Sequence, residues 1–194
     1  MSWTIERTED NKEVLSKGLR SAIQRASRAD ILMFCSTNDQ GKLGRNDVDV
    51  YPGKFSETFK IGAARASGHE AEWTDESSHY TFPGEGLKVD IPCHLKSNTN
   101  NLASGSSLAT ALASGMAALL LYCVQICDDS GNPEQALKTA RIHDNMDRAF
   151  GRMANKNKHE RYIRAWEYLK PEFKDLPDEE GIDGLKKVIA ELFD

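Results

Sequence analysis

Apolar and polar positions follow two periodicities along this chain. Over residues 10–28, Val14, Leu15, Leu19, Ala22, Ile23 and Ala26 recur at helical spacing with Lys, Arg and Glu between them, which predicts an amphipathic helix. Asp10 or Asn11 is placed to cap its start. Ile31-Leu32-Met33-Phe34-Cys35 is apolar without a break and of strand length, the pattern of a strand buried on both faces of a parallel sheet. A helix followed directly by such a strand is half of a βαβ unit, and residues 1–4 are the remnant of its first strand. Residues 38–54, rich in Asn, Asp and Gly, form a loop. Residues 59–64 read as another strand, and 67–78 as polar turns. Residues 87–91 alternate as a strand does until Pro92 stops it. After a polar loop over 96–101, residues 107–127 form a long helix that is apolar on nearly all sides.

That helix raises a membrane question. A span needs about 18 uninterrupted apolar residues; this stretch is broken by Thr110, Ser114 and Gly115 and has no basic flanks, so it reads as a central helix buried in a globular core. Beyond it the pattern changes. Residues 133–154 read as a charged helix with Pro133 in its first turn. Residues 158–169 read as a second, with Tyr162, Ile163, Trp166 and Leu169 on one face, and 182–193 as a third. Gly131 stands as a helix stop. The chain thus divides into an α/β part, residues 1–130, and a helical C-terminal extension, residues 131–194. The fold class is α/β, a three-layer arrangement of a mostly parallel sheet with flanking helices plus the helical appendage.

Composition narrows the function classes. The chain has 194 residues, room for one ordinary domain. With 25 basic and 30 acidic residues its net charge is -5, which argues against a general nucleic-acid binder. Four cysteines make no disulfide scaffold, and residues 1–11 show no secretory signal, so an intracellular protein that neither binds nucleic acid nor enters a membrane is expected. His69, His79 and His94 have no metal spacing. Cys123 and Cys127, at i and i+4, read as buried structural thiols.

The chemistry concentrates at Ser104-Gly105-Ser106-Ser107-Leu108-Ala109-Thr110-Ala111-Leu112-Ala113-Ser114-Gly115. A polar loop ends in Gly-Ser-Ser and an apolar helix starts at once. A serine there lies at the positive end of a helix dipole, where negative charge is stabilised. Taken alone, it is equally a helix cap.

Further segments add to it. The run from Gly105 to Gly115 resembles the nucleophile motif of the subtilisin-like serine peptidases, Gly-Thr-Ser-Met-Ala-Thr/Ser-Pro-x-x-Ala-Gly. Ile31 to Gly41 resembles that family's apolar strand ending in Ala-Ala-Gly-Asn-x-Gly. Tyr51-Pro52-Gly53, followed by Ile61-Gly62-Ala63, is similar to its Tyr-Pro-Gly segment and the strand after it, and Met1-Ser2-Trp3 to its Met-Ser-Leu strand. The resemblance covers roughly residues 1–125, the C-terminal half of that family's catalytic domain; the helical tail is similar to extensions of fungal intracellular members. It implies that Ser107 is the nucleophile of an acyl transfer and that Asn38 and the Ser107 N–H hold the oxyanion. It implies that Ser2, Phe34, Cys35, Ser36, Thr37, Tyr51, Pro52 and Gly53 line the cleft for a peptide or protein substrate. No cofactor is implied beyond a structural calcium with no identifiable site. Thr37 stands where the family has Gly, which bears on specificity; Ala111 replaces a Pro and Leu108 a Met.

In subtilisins the triad runs Asp, His, Ser along the chain, yet residues 1–37 contain no His. The base and its orienting Asp are therefore not matched here, and an isolated serine hydroxyl is a weak nucleophile. Two alternatives stand beside the peptidase: a non-catalytic fragment or interaction module, and an α/β-hydrolase-type esterase in which Asp128 or Asp129 and His143 follow the serine.

Overall fold

The computed structural model describes residues 1, 4–39, 50–74, 77–90, 101–128, 131–154, 161–169 and 178–193. Strand β1 (Ile5–Glu6) leads into a turn closed by Asn11, whose amide donates to the Glu6 carbonyl at 2.9 Å while its Oδ1 accepts from the Thr8 N–H at 2.8 Å. The helix starts directly after Asn11, as expected, with the Asn11 carbonyl accepting from Leu15 N–H at 3.0 Å, while the Asn11 side chain is engaged in the turn. After residues 12–13 it runs as a π-helical stretch (Val14–Leu19) and continues as α1 (Arg20–Arg28).

Strand β2 (Met33–Ser36) begins later than its apolar run, leaving Ile31 exposed. Strand β3 (Val50–Tyr51) pairs antiparallel with β1, and β4 (Thr58–Ala64) lies between β2 and β5 (Tyr80–Pro83) in a three-stranded parallel sheet. Phe34 faces Phe59 and Ile61 faces Tyr80 across the ladders. All seven residues of β4 are buried, the polar Thr58 and Lys60 included, as its place at the centre of a parallel sheet covered on both faces requires. Strands β6 (Leu87–Lys88) and β7 (Leu102–Ala103) form a short antiparallel pair, so the expected strand over 87–91 survives as two residues.

Helices cover both faces of the sheet. Met33 joins Leu15, Ile23, Tyr51 and Phe55 on the α1 side. Phe34, one residue on, points the other way into the main core, with Phe59, Tyr80 and Phe82. That core is closed by α2 (Ser106–Cys127), α3 (Pro133–Ala140), α4 (His143–Met153) and α6 (Asp178–Phe193). Phe150 of α4 sits at its centre, with ring centroids 5.5–6.1 Å from those of Phe34, Phe59, Tyr80 and Phe82. The C-terminal helices share this core instead of hanging from it.

Three helical expectations are corrected. Helix α2 buries one face only: Ala109, Ala113, Ala117 and Leu120 pack inward, while Leu112, Leu119, Tyr122 and Ile126 are exposed. By length and composition it could cross a membrane, and within this fold its Ala-rich face lies on β2, β4 and β5. Residues 133–154 form two helices, because Ile142 takes an extended conformation between them (ψ 128°). Residues 161–164 are not helical. The edge of β5 has unpaired peptide groups, and this segment satisfies them: Thr81 N–H donates to the Arg161 carbonyl at 2.9 Å, and Ile163 N–H to the Thr81 carbonyl at 3.1 Å. Only α5 (Ala165–Tyr168) is helical among the described residues of that stretch.

Candidate active site

Parallel strands end on the same side of their sheet, and here the N-terminus of α2 meets those ends. Thr37 N–H, just past β2, donates to the Ile61 carbonyl at 2.9 Å. Gly84 N–H, just past β5, donates to Ala64 at 3.0 Å, and the Gly84 carbonyl accepts from Gly105 N–H at 2.8 Å. Position 84 has no space for a side chain: a Cβ there would lie 2.5 Å from Ala63 Cβ and 3.1 Å from the Gly105 oxygen. Gly105 carries a φ of +153°, a backbone region that side chains disfavour, and turns the chain into α2.

Ser106 follows, fully buried, with every polar group satisfied. Its N–H donates to Asp39 Oδ2 at 3.0 Å, its Oγ lies 2.8 Å from Thr37 Oγ1, and its carbonyl accepts from the Thr110 hydroxyl at 2.8 Å. Ser107 is exposed in the first turn, where the aligned peptide dipoles favour negative charge. The residues on either side of Asn38 thus both bind the residue that precedes Ser107. Asn38 itself is half-buried, and its Nδ2 is 3.4 Å from Glu6 Oε1.

The remaining predicted residues separate into two groups. Ser2 lies outside the described residues. Phe34, Cys35, Ser36 and Thr37 are all buried. Phe34 stacks on Phe59 at 5.1 Å. Burial pushes the Cys35 thiol up from its ordinary pKa; its Sγ is 3.5 Å from the Phe59 carbonyl. Tyr51 and Pro52 are buried and Gly53 is half-buried. Tyr51 meets Phe55 edge-on at 5.1 Å, and the Thr58 hydroxyl lies 3.0 Å from the Pro52 carbonyl. The side chains of Phe34, Cys35, Tyr51 and Pro52 therefore face packed protein. Sequence reasoning missed Asp39 and the Ser106 hydroxyl; their partners lie 67 and 69 positions away, and no local pattern announces such a pair.

The esterase alternative fails on geometry. Ser107 and Asp128 stand at opposite ends of α2, about 30 Å apart at 1.5 Å per residue. The His143 ring stacks on Phe59 at 4.2 Å, at the start of α4. The segment before Gly105 is the two-residue β7, with Leu102 exposed, and not the buried strand that a nucleophile elbow requires. A separate cleft of about 750 Å³, bordered by Gly68, Thr81, Tyr162 and Trp166, holds none of the predicted site residues.

Comparison with known proteins agrees with this architecture. The model of the subtilase family matches residues 1–161. Subtilisin E of Bacillus subtilis (strain 168) is 27% identical over 106 residues, which are 55% of this chain and 27% of that protein. The intracellular serine protease of Paenibacillus polymyxa is 28% identical over 105 residues, 53% of this chain and 31% of that protein. The chain thus spans about a third or less of these relatives. Among solved structures, a lanthipeptide protease superposes with a TM-score of 0.62 at 18% identity, covering 88% of this chain and 60% of that one. The self-cleaved protease domain of PatA gives 0.58 at 16%, covering 98% and 61%.

Proposed function

The chain belongs to the subtilase family, and from that premise we propose that it is the part of a serine endopeptidase that carries the nucleophile and the oxyanion hole. Ser107 attacks the peptide carbonyl, and the Ser107 N–H and the Asn38 amide stabilise the charge that develops on oxygen. Such a donor is worth about 2.7–4 kcal/mol, a value that comes from this family. The observation that carries the reading is the junction at Ser106. It sets the loop bearing Asn38 against the first turn of α2, where Ser107 is exposed.

The Asp and His of the triad come from the polypeptide that supplies the rest of the fold. Two features support this. Ser36 N–H donates to the Met1 carbonyl at 3.2 Å, so the outer edge of β2 accepts a pairing partner. Beside it lies an apolar groove of about 680 Å³ lined by Ile23, Ala26, Leu32, Ala117 and Leu121. The buried Phe34–Thr37 strand would contact substrate through its backbone. The thiols of Cys35 and Cys123 suit a reducing, intracellular setting.

A fluorophosphonate probe tests the reading. The 194-residue chain alone is expected to stay unlabelled for want of a base. A product extended by whatever its transcript encodes upstream of Met1 is expected to label at Ser107, and Ser107→Ala to abolish that. Labelling of the isolated chain at Ser107 would overturn the need for an external base. An extended product bearing Asp-Ser/Thr-Gly and His-Gly-Thr that does not label would overturn catalysis. A transcript that starts at Met1 favours the second reading, an interaction module, to which the exposed apolar face of α2 (Leu112, Leu119, Tyr122, Ile126) also points.

A further inference from the structure

We propose that Thr37 and Asp39 are positioning residues that fix Asn38 in register with the nucleophile helix, each through Ser106; the inference rests on the reading of Asn38 and Ser107 given above. Asn38 follows the last residue tied into the sheet, since Thr37 N–H still reaches the Ile61 carbonyl. Nothing in the strand itself determines where the next residue goes. Two contacts do. On one side, Thr37 Oγ1 and Ser106 Oγ lie 2.8 Å apart, with Thr37 only 3% and Ser106 0% exposed. On the other, Asp39 Oδ2 accepts the Ser106 N–H at 3.0 Å. Asn38 is therefore the middle of three residues whose outer two hold the same point on α2, one position before Ser107.

The two contacts differ in kind. The hydroxyl pair is sealed from water, so a hydroxyl left alone there is a buried unsatisfied group, and the pair resists separation. The Asp39 carboxylate takes one of the N–H groups that every helix leaves without an internal partner, and it sits at the positive end of the dipole. It occupies the Ser106 N–H, the donor next to that of Ser107. The contact that competes for Asn38 is its amide to Glu6 Oε1, long at 3.4 Å and exposed. Thr37 stands where the resembling motif has Gly, which has no hydroxyl, so this fastening belongs to the present chain. It gives Thr37 a structural task facing α2.

Backbone relaxation measured by NMR on the isolated chain tests the fastening. In wild type and in Thr37→Ser the order parameter of Asn38 is expected near the rigid value of about 0.85, and in Thr37→Val below about 0.6, with Phe34 and Ile61 unchanged. In Asp39→Ala the Ser106 amide is expected to exchange at least about tenfold faster. A residue that only stabilised the fold would lower Tm without altering order at Asn38 alone. Should Thr37→Val not fold, Ser106→Ala removes the same bond from the other side and carries the same prediction. Asn38 as rigid in these variants as in wild type would overturn the proposal. Labelling at Ser107 is read separately by the probe, so a failed nucleophile and a failed fastening give different results.

Discussion

Replacing Gly84 with alanine is the sharpest perturbation of the candidate site. The added Cβ would lie 2.5 Å from Ala63 Cβ, 3.0 Å from Ala63 Cα and 3.1 Å from the Gly105 oxygen. Two of these are fixed by backbone, and Ala63 has no longer side chain to swing aside, so either the end of β4 or the Gly84–Gly105 connection must move. Overpacking of this kind costs about 1–3 kcal/mol, which for a chain of this length lowers Tm by roughly 2–12 °C. The movement falls on the hydrogen bond from Gly105 N–H to the Gly84 carbonyl, 2.8 Å long, and so on the turn that presents Ser107. Gly115→Ala is the matched control. It lies mid-way along α2 with nothing within 4 Å of an added Cβ, and helix propensity alone predicts a gain of about 0.5–1 kcal/mol. Thermal unfolding by circular dichroism reads both. A Gly84→Ala chain that melts within 1 °C of wild type would show that the close approach at Ala63 is not a constraint.

Other expectations follow from the core. Tyr80→Phe removes the hydroxyl that lies 2.8 Å from the Asp147 carbonyl and 2.7 Å from its Oδ1, at a cost of about 1.5 kcal/mol. Burial, with help from that carboxylate, raises the Tyr80 phenol well above its ordinary pKa. The raised group contributes stability that is fully present below the unfolded value of about 10 and is lost as pH rises beyond it. The Tm gap between wild type and Tyr80→Phe is therefore expected to be constant from pH 7 to 9 and to narrow above about pH 10; a gap that widens there refutes the assignment. Phe150→Ala empties the centre of the aromatic cluster and should cost about 3–5 kcal/mol. Urea unfolding is expected to remain one cooperative transition, whereas α4 melting ahead of the sheet would mean that the C-terminal helices form a unit of their own.

What the sequence discloses here follows the range of the forces involved. Burial on both faces leaves an unbroken apolar run in β2, legible at 31–35, and a mainly apolar one in β4, legible at 59–64 although Lys60 interrupts it. Amphipathic spacing discloses α1 just as directly. Both are local consequences of local residues. Residues 161–163 are different. Arg161-Tyr162-Ile163 has no strand pattern, and it is extended only because the edge of β5 offers peptide groups in need of partners. The break at Ile142 is likewise set by how α3 and α4 reach the core. Helix α2 shows the limit of composition: being apolar all round, it could not indicate which face the sheet takes, and the small residues Ala109, Ala113 and Ala117 decided it by allowing close approach. At the candidate site, the positions of Asn38 just past β2 and of Ser107 in the first turn of α2 were legible because their motifs are contiguous. Asp39 and the Thr37–Ser106 pair were not, because each joins segments nearly 70 positions apart.

That division bears on the chemistry. An acyl transfer needs charge stabilised on oxygen and a proton removed from the nucleophile, and the two demands fall on different parts of a fold. The first is met by oriented dipoles: a helix N-terminus, a peptide N–H and an amide held in place. If Ser107 and Asn38 act as proposed, all of them arise where three parallel strands end against α2, next to the buried Ser106. The second needs a base within hydrogen-bond reach of Ser107, which in the proposed function the rest of the fold supplies. A preorganised oxyanion site costs no reorganisation at the moment of reaction, so it gains from rigidity and can be complete before the base arrives. The proposed fastening of Asn38 can therefore be measured in this chain by itself, separately from reactivity at Ser107.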